Sequence, residues 1–550
     1  MKKNITMRKG TFVKGAMITT LGIVISKILG LFYVVPFYAI IGEQGGALYG
    51  YAYTIYTLFM SLASLGIPLA ISKIVSEYQT LGYYQTKKRV FVLGKRIAWL
   101  LGFTCFLLIL IFAPLLARAV LGDVTGGNTI SDVTFVIRVI GTAILIVPVL
   151  SIYRGYFEGH RLFSPPSISQ VIEQIIRVSI IILGSYFAIS TFHLSLPSAV
   201  AIALLGATAG AFLSYLYLAI KKYKNRSKFN EKIREVNEPK ITDKMIIQKI
   251  FLYSIPFILI DVFKSIYNYV DMVTVVKALV HFASYTPVQA ENIYGILSTW
   301  GAKFNMILLS ISTGVVVSLI PNLTESIVKK ETKDVNKKIN QALGILFYFM
   351  IPMTLGISFL AKPIWILFYG NSLYGPSILS YYIFVGLAIG IFTVMVTILQ
   401  TLKDQKSVFL CLLVGVLIKI LFNRYFILVF EEMHLPAYYG VITASILGYC
   451  VSLVAAFIIL RRKYGIHFED SLKNFIDIMC ASLLMVVVLS IMKIFIPISF
   501  DHRMMNLLSI LWNMVVGMLV YFVYCHMSKV THKIFGKSLF QTFGKLILRK

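Results

Sequence analysis

Residues 12–41 read FVKGAMITTLGIVISKILGLFYVVPFYAII, an apolar run broken after Lys14 by a single charge, Lys27, near its middle. About thirty helical residues rise roughly 45 Å, enough to cross the ~30 Å hydrocarbon core of a bilayer with length to spare. The run is longer than the apolar region of a cleavable signal peptide and lacks an A-x-A site, although the N-terminus before it is basic. It predicts a retained first membrane span.

The rest of the chain extends that reading. Of 550 residues, 58% are hydrophobic and 14% charged, with a mean hydropathy of +0.82, against about 45–50% apolar and about 25% charged in soluble domains. Windows of about twenty apolar residues give fourteen expected spans, from 12–40 and 48–77 through 248–280 and 293–320 to 504–528. The fold class is therefore an all-α polytopic membrane protein: two six-helix lobes plus two C-terminal helices. Residues 1–222 form the expected N-terminal lobe, 223–247 a basic cytoplasmic linker, 248–463 the C-terminal lobe, and 464–550 the last two spans with a basic tail. The halves correspond through long first helices with central lysines, Lys27 and Lys264, and through Ile-Pro pairs at Pro68 and Pro321. Six spans return the chain to its starting side, so the halves run in the same direction, and the substrate site is expected between them.

Charge sets the orientation. Basic residues crowd into loops such as KKRVFVLGKR (87–96), the stretch 221–249, KKETKDVNKK (329–338) and the tail from Lys529, whereas the opposite loops hold only Arg118, Lys362 and Arg503. That bias places both termini in the cytoplasm of a bacterial cell, with the chain in the cytoplasmic membrane. It also accounts for most of the net charge of +29 without nucleic acid, for which no basic run interleaved with aromatics exists. Cys105, Cys411, Cys450, Cys480 and Cys525 are scattered with no CxxC spacing and read as small hydrophobes rather than metal ligands or disulfides.

Basic residues inside spans need a separate account. Arg138, Lys277, Arg424 and Lys493 lie near span ends, where an aliphatic stem lets the charge reach the interface. Lys27 lies roughly 20 Å from either end of its span, beyond the reach of its stem, and a central charge costs about 2.5–3.5 kcal/mol on insertion scales. Lys27 is thus expected to line a polar cavity. On FLYSIPFILIDVFKSIYNYVDMVTVV (251–276), Asp261, Lys264, Asn268 and Asp271 fall on one polar stripe of about 80°, expected to face the bundle interior. The alternative reading is that Asp261 and Lys264, at that spacing, simply neutralise each other as a structural pair. Lys303 lies too deep in its span to snorkel easily, and Lys419 has Asn423 one turn on, whereas Arg177 has Glu173 one turn earlier and reads as half of a structural ion pair. An excess of interior lysine over carboxylate points to an anionic substrate, for which phosphate or diphosphate suits ammonium groups.

The chain has no G-x-x-x-x-G-K-[ST], no HExxH and no DDxxD-like cluster. It is read as a transporter rather than an enzyme, with no cofactor and no metal. Movement would be driven by the membrane potential, a Na+ or H+ gradient or the substrate gradient, with Asp261, Asn268 and Asp271 as candidates for cation coupling.

Four stretches, SKILGLFYVVPFYAIIG (26–42), GIPLAISKIVSEY (66–78), RGYFEGHRLFSPPSISQVIEQIIRV (154–178) and LSTWGAKFNMILLSISTGVVVSLIP (297–321), together resemble the MurJ/SpoVB branch of the multidrug/oligosaccharidyl-lipid/polysaccharide exporter superfamily. The likeness extends over essentially the whole chain. It implies export of undecaprenyl-diphosphate-linked peptidoglycan precursor (lipid II) from the inner to the outer leaflet by alternating access, in the service of cell-wall biogenesis and cell shape. It also implies a cationic cavity for the diphosphate. The family's Ser-Arg-x-Leu-Gly pattern matches Ser26, Lys27, Leu29 and Gly30, with lysine for arginine, which loses the bidentate fork. A basic residue in the eighth span falls close to Lys303. Six positions after Lys27, where relatives carry a second arginine, stands Tyr33; Lys73 or Lys264 is the expected substitute. The partners implied are the lipid-linked glycan and membrane lipids, with the protein a monomer and cell-wall synthesis proteins as associates. Two readings of the same superfamily, export of another lipid-linked polysaccharide unit and cation-coupled drug export, are rivals, the latter calling for unpaired carboxylates. A membrane glycosyltransferase calls for larger outer loops than this chain has, and a scaffold without transport is a further alternative.

Overall fold

The computed structural model describes residues 29–30, 32–63, 66–160, 162–225, 238–495 and 503–535. Most of the first expected span, with Ser26 and Lys27, lies outside the described residues. Among them every regular element is helical, as hydrocarbon requires of a single-chain segment that must satisfy its own backbone hydrogen bonds. Twelve helices are long and apolar enough to cross a membrane, or thirteen with α7, whose halves Asp243–Ile255 and Ile258–Phe282 bend by 44° about Pro256, a residue with no N–H to donate. Large side chains such as Leu100, Ile111 and Leu115 stand more than half exposed, a surface suited to lipid. The chain is a multi-pass membrane protein.

The chain divides into two compact units, Met1–Gly295 and Ile296–Lys550. In the first, α1 (Val34–Ala63) contains Gly42 at φ +65°, ψ −165°, so a turn falls where the first two spans were expected to part. The span expected over 48–77 is broken: α2 (Ile67–Leu81) starts afresh behind Gly66 at φ +85°, with Pro68 in its first turn. The other Ile-Pro pair, Ile320-Pro321, lies inside the unbroken helix Ala302–Val328, where Ser318 and Leu319 precede it in place of a glycine.

Then follow α3 (Tyr84–Leu121), α4 (Ile130–Gly159), α5 (Ser164–Ser179), prolonged by π-turns at Ile180–Gly184 and Phe187–Thr191, α6 (Leu196–Lys224), α7 (Asp243–Phe282) and α8 (Pro287–Gly295). Thr129 and Asp132 close a capping box at the start of α4. Helix α4 packs on α1, α2, α3 and α6, and its approach to α2 depends on missing side chains. A Cβ on Gly155 would stand 2.4 Å from the Pro68 carbonyl oxygen, and one on Gly159 2.8 Å from Val75 Cβ. This is the small-xxx-small device by which membrane helices gain dispersion contact where lipid supplies no hydrophobic drive. Gly206 and Gly210 do the same for α6 against the backbone of α5 at Arg177 and Glu173.

Helix α7, which the repeat assigns to the head of the second lobe, packs on α1, α2 and α3 of the first unit. Its basic end is tied there by polar contacts: Arg89 to Asp243 and to the Ile241 carbonyl at 2.8 Å, and Lys249 to Glu77 at 2.7 Å. Glu238 accepts from the backbone N–H groups of Gln85 and Thr86 at 2.8 and 3.0 Å.

In the second unit a π-turn, Ile296–Trp300, leads into α9 (Ala302–Val328), α10 (Thr332–Phe359), the short α11 (Ala361–Tyr369), α12 (Gly375–Thr401), α13 (Gln405–Glu432) and α14 (Tyr438–Tyr464). The last helices are α15 (Glu469–Phe495), α16 (Arg503–Met527) and α17 (Val530–Phe535). Helix α15 docks on α10 through Asn340, which donates to the His467 carbonyl at 2.8 Å and accepts from Ser471 Oγ at 2.6 Å. Between α12 and α13, Asp404 caps the following helix by accepting from Ser407 and also takes hydrogen bonds from Lys463 and Tyr464.

Replacing Gly155 with alanine should cost about 1–3 kcal/mol by overpacking and lower the melting temperature in detergent, while Gly314→Ala, whose Cβ meets open space, should leave it unchanged. A second expectation concerns acid. Burial works against the Asp404 charge, but the hydrogen bonds from Lys463, Ser407 and Tyr464 outweigh it and hold the carboxyl at about 2. A carboxyl depressed on folding stabilises above its unfolded value of about 3.9 and loses that contribution as pH falls toward the folded value. Melting temperature should therefore drop between about pH 4 and pH 2, and less steeply in Asp404→Asn.

Candidate anion-binding residues

In the first unit the charges gather where α4, α5 and α1 meet. Glu173 bridges two guanidinium groups, Arg154 at 2.7 Å and Arg177 at 2.5 Å. Arg154 Nε also donates to Ser169 Oγ at 2.9 Å, and Ser214 on α6 donates to the Ser169 carbonyl at 2.8 Å. All three charged side chains are less than a fifth exposed. Two cations share one carboxylate, with Glu158 also in electrostatic range of Arg154, and among the described residues Arg177 Nε, buried, has no hydrogen-bond partner. Sequence spacing gives the Glu173–Arg177 pair; Arg154, nineteen positions before Glu173, becomes visible only once α4 turns back along α5.

A row of tyrosines faces this cluster from α1. Tyr33 hydrogen-bonds Tyr49, Tyr49 stacks on Tyr53 at 5.7 Å, and Tyr49, Tyr53 and Tyr56 lie within electrostatic range of Arg177. Gly30 lies against the side chain of Gln174, whose Nε2 would be 3.3 Å from an added Cβ. Gly30 therefore lies beside α5, and Tyr33 lies one turn further along, as Arg177 does from Gln174.

The other candidates are placed differently. Lys73 is exposed, with its ammonium 4.0 Å above the ring of Tyr253, a cation–π contact. Lys264 lies eleven residues beyond Tyr253, about 16 Å along α7. On that helix Lys264 and Asn268 are exposed and Asp261 and Asp271 half buried, whereas the buried line runs through Ile250, Ser254, Ser265 and Met272. The polar stripe thus lies off the packed interior of the first unit. Among the described residues no ion pair joins Asp261 to Lys264.

Lys303 belongs to the second unit and is half buried near the start of α9. The π-turn before it is held by aromatic packing: Trp300 is fully buried, its carbonyl accepts from Tyr369 Oη at 3.2 Å, and Trp365 lies on Tyr369 at 4.7 Å between centroids. Gly375 is required beside that indole, where an added Cβ would fall 2.0 Å from Trp365 Cε2. Irregular π geometry is often kept at working positions, and here it ends three residues before Lys303. Lys419, ambiguous by sequence, is completely buried between α13 and α14, donating to Ser445 Oγ at 2.6 Å and the Val441 carbonyl at 3.2 Å.

Comparison with known proteins agrees with this architecture. Residues 12–327 match the family model described as polysaccharide biosynthesis protein. The chain is 32% identical over 543 residues to the lipid II flippase MurJ of Bacillus subtilis (strain 168), covering 97% of this chain and 98% of the relative. It is 26% identical over 344 residues to stage V sporulation protein B of the same organism, covering 62% and 63%. Among solved structures, a lipid II flippase MurJ in an inward closed conformation superposes with a TM-score of 0.66 at 17% identity, covering 95% of this chain and all of that one. An inward-facing multidrug transporter of the MATE family gives 0.64 at 13% identity over 81% of this chain and 98% of that one; both show the fold. With more than half of its length in the family model and nearly all of it aligned to MurJ, the chain belongs to the polysaccharide biosynthesis protein family, in its MurJ branch.

Proposed function

We propose that this chain is a flippase that moves lipid II, the undecaprenyl-diphosphate-linked peptidoglycan precursor, from the inner to the outer leaflet of a bacterial cytoplasmic membrane by alternating access. The observation that carries the reading is the 32% identity to the lipid II flippase MurJ along 97% of the chain. In this account Lys27 and Lys303 neutralise the diphosphate in a cationic cavity, with Ser26 as a hydrogen-bonding neighbour and Lys73 and Lys264 as further cations on the route. The lipid tail stays in the bilayer. Both termini face the cytoplasm and the protein works as a monomer in contact with the cell-wall synthesis machinery. No nucleotide is spent; the membrane potential or a Na+ or H+ gradient drives the cycle, with Asp261, Asn268 and Asp271 as the cation-responsive groups.

The cation that relatives place at Tyr33 is supplied, on this reading, by Arg177. Its guanidinium shares the α1 tyrosines with Tyr33, keeps one nitrogen without a partner among the described residues, and has the planar fork that suits a diphosphate better than a lysine does.

In cells depleted of their own lipid II flippase, the wild-type gene should restore growth, and Lys27→Ala or Lys303→Ala should fail or restore it poorly. Full rescue by both variants, with normal outward appearance of precursor, would remove these lysines from the site. Arg177→Gln leaves Glu173 paired with Arg154, so the protein should fold. It should lose about tenfold or more in flipping rate, the scale of one hydrogen bond to a charged group, with partial recovery in Arg177→Lys.

A further inference from the structure

Glu291, on α8, is 1% exposed and forms no ion pair among the described residues. Both its carboxylate oxygens accept from the Asn128 backbone N–H at 2.9 Å; Oε2 accepts also from Asn128 Nδ2 at 2.9 Å and from Gln44 Nε2 at 3.5 Å. The carboxylate fills the space a side chain at Gly127 would take, with Oε2 2.5 Å from the position of an added Cβ. Three separate pieces of the first unit are thereby joined at one end: α1 just beyond its turn at Gly42, the connection 126–129 and α8. The backbone fits as closely, since a Cβ on Gly295 would lie 2.3 Å from the Glu43 carbonyl oxygen.

Among the described residues, the charged and titratable groups around Glu291 are like-charged, neutral or already bonded elsewhere. Asp132, at the start of α4, adds a like charge, and Tyr51 of α1 lies close by, stacked on Tyr294 of α8 at 4.6 Å. Tyr38 donates to Glu43 at 3.0 Å. From α7, Lys277 is committed to the Ala119 carbonyl at 2.7 Å and His281 to Asp123 at 3.1 Å. A buried carboxylate held by neutral amides is expensive to desolvate, and a glutamine would tie the same pieces together without that cost. An acid at this position offers what an amide does not: a proton-dependent change in its strength as an acceptor.

We propose that Glu291 is a proton-binding site that latches α8 to α1 and to residues 126–129. A proton from water at this end, which the charge bias assigns to the outer face, adds to one carboxylate oxygen. The charge-assisted bonds from Asn128 and Gln44 become weaker neutral ones, and Pro287–Gly295 is released. When the contacts re-form, the proton returns to the same water, so no net proton crosses and no other reactant takes part. Building on the flippase reading, outer acidity then speeds the transport cycle.

The test uses the full chain in vesicles of phosphatidylglycerol and phosphatidylethanolamine with a fluorescent polyprenyl-diphosphate disaccharide as probe, its leaflet read by a membrane-impermeant quencher. As the outer pH is lowered the wild-type rate should rise as one group titrates, by no more than about tenfold per pH unit; Glu291→Gln should be flat. In Asn128→Ala, which keeps the acid and loses one donor to its charged form, the midpoint should move about one pH unit upward; a purely structural role would lower the rate at every pH and leave the midpoint in place. A pH response retained in Glu291→Gln overturns the proposal. Should wild type move no probe at any pH, the flippase reading fails, and infrared pH-difference spectra still decide the proton site. A protonated-carboxyl band present in wild type and absent from Glu291→Gln supports it, and identical spectra refute it.

Discussion

A charge inside hydrocarbon must be paired, brought to the interface, or kept for a ligand, because leaving it in lipid costs several kcal/mol. The described residues sort along that constraint. Arg154 and Arg177 share Glu173; Lys277 reaches a backbone carbonyl near the end of α3; Lys419 is enclosed among a carbonyl and a hydroxyl; Lys73 lies over an aromatic face. Each solution uses a different partner, and each fixes a helix against a neighbour. The pairing at Glu173, in which two guanidinium groups share one carboxylate, is the one flanked by tyrosine.

That cluster rests on close backbone approach. Glycines on α6 admit the α5 backbone at the two residues that carry the ion pair, and glycines on α4 admit α2. Without those contacts the guanidinium groups would lack a fixed carboxylate to share, and an unshared one would be costly to hold in the membrane. Packing and electrostatics are therefore one construction, and the stretch 154–178, which carries Arg154, Gly155, Gly159, Glu173 and Arg177, contributes most of it. Its distinctiveness as a sequence has a physical basis in this geometry.

Much of the fold was legible because hydropathy windows and loop charge report the solvent directly. The all-helical architecture, the length of the spans and the turn at Gly42 follow from residue type alone. The break at Gly66 was not read, since Pro68 was taken as a mark of correspondence between the halves, and Pro321 shows that the same dipeptide tolerates an unbroken helix. The allegiance of α7 escaped because it depends on contacts far apart in sequence, such as Lys249 with Glu77. The Glu173–Arg177 pair is a local i,i+4 signal, whereas Arg154 and the tyrosine row needed tertiary placement. Glu291 was silent in sequence: its surroundings come from residues 44 and 127–128, and a carboxylate near a span end looks ordinary until its burial is known.

The central claim is that this chain's cations recognise a diphosphate on a lipid. The most direct measurement compares, in the same proteoliposomes, outward movement of a labelled polyprenyl-diphosphate glycan with that of an analogue whose diphosphate is replaced by an uncharged linker. The account predicts protein-dependent movement of the diphosphate lipid and none of the neutral one above protein-free vesicles. Equal movement of the two would contradict it.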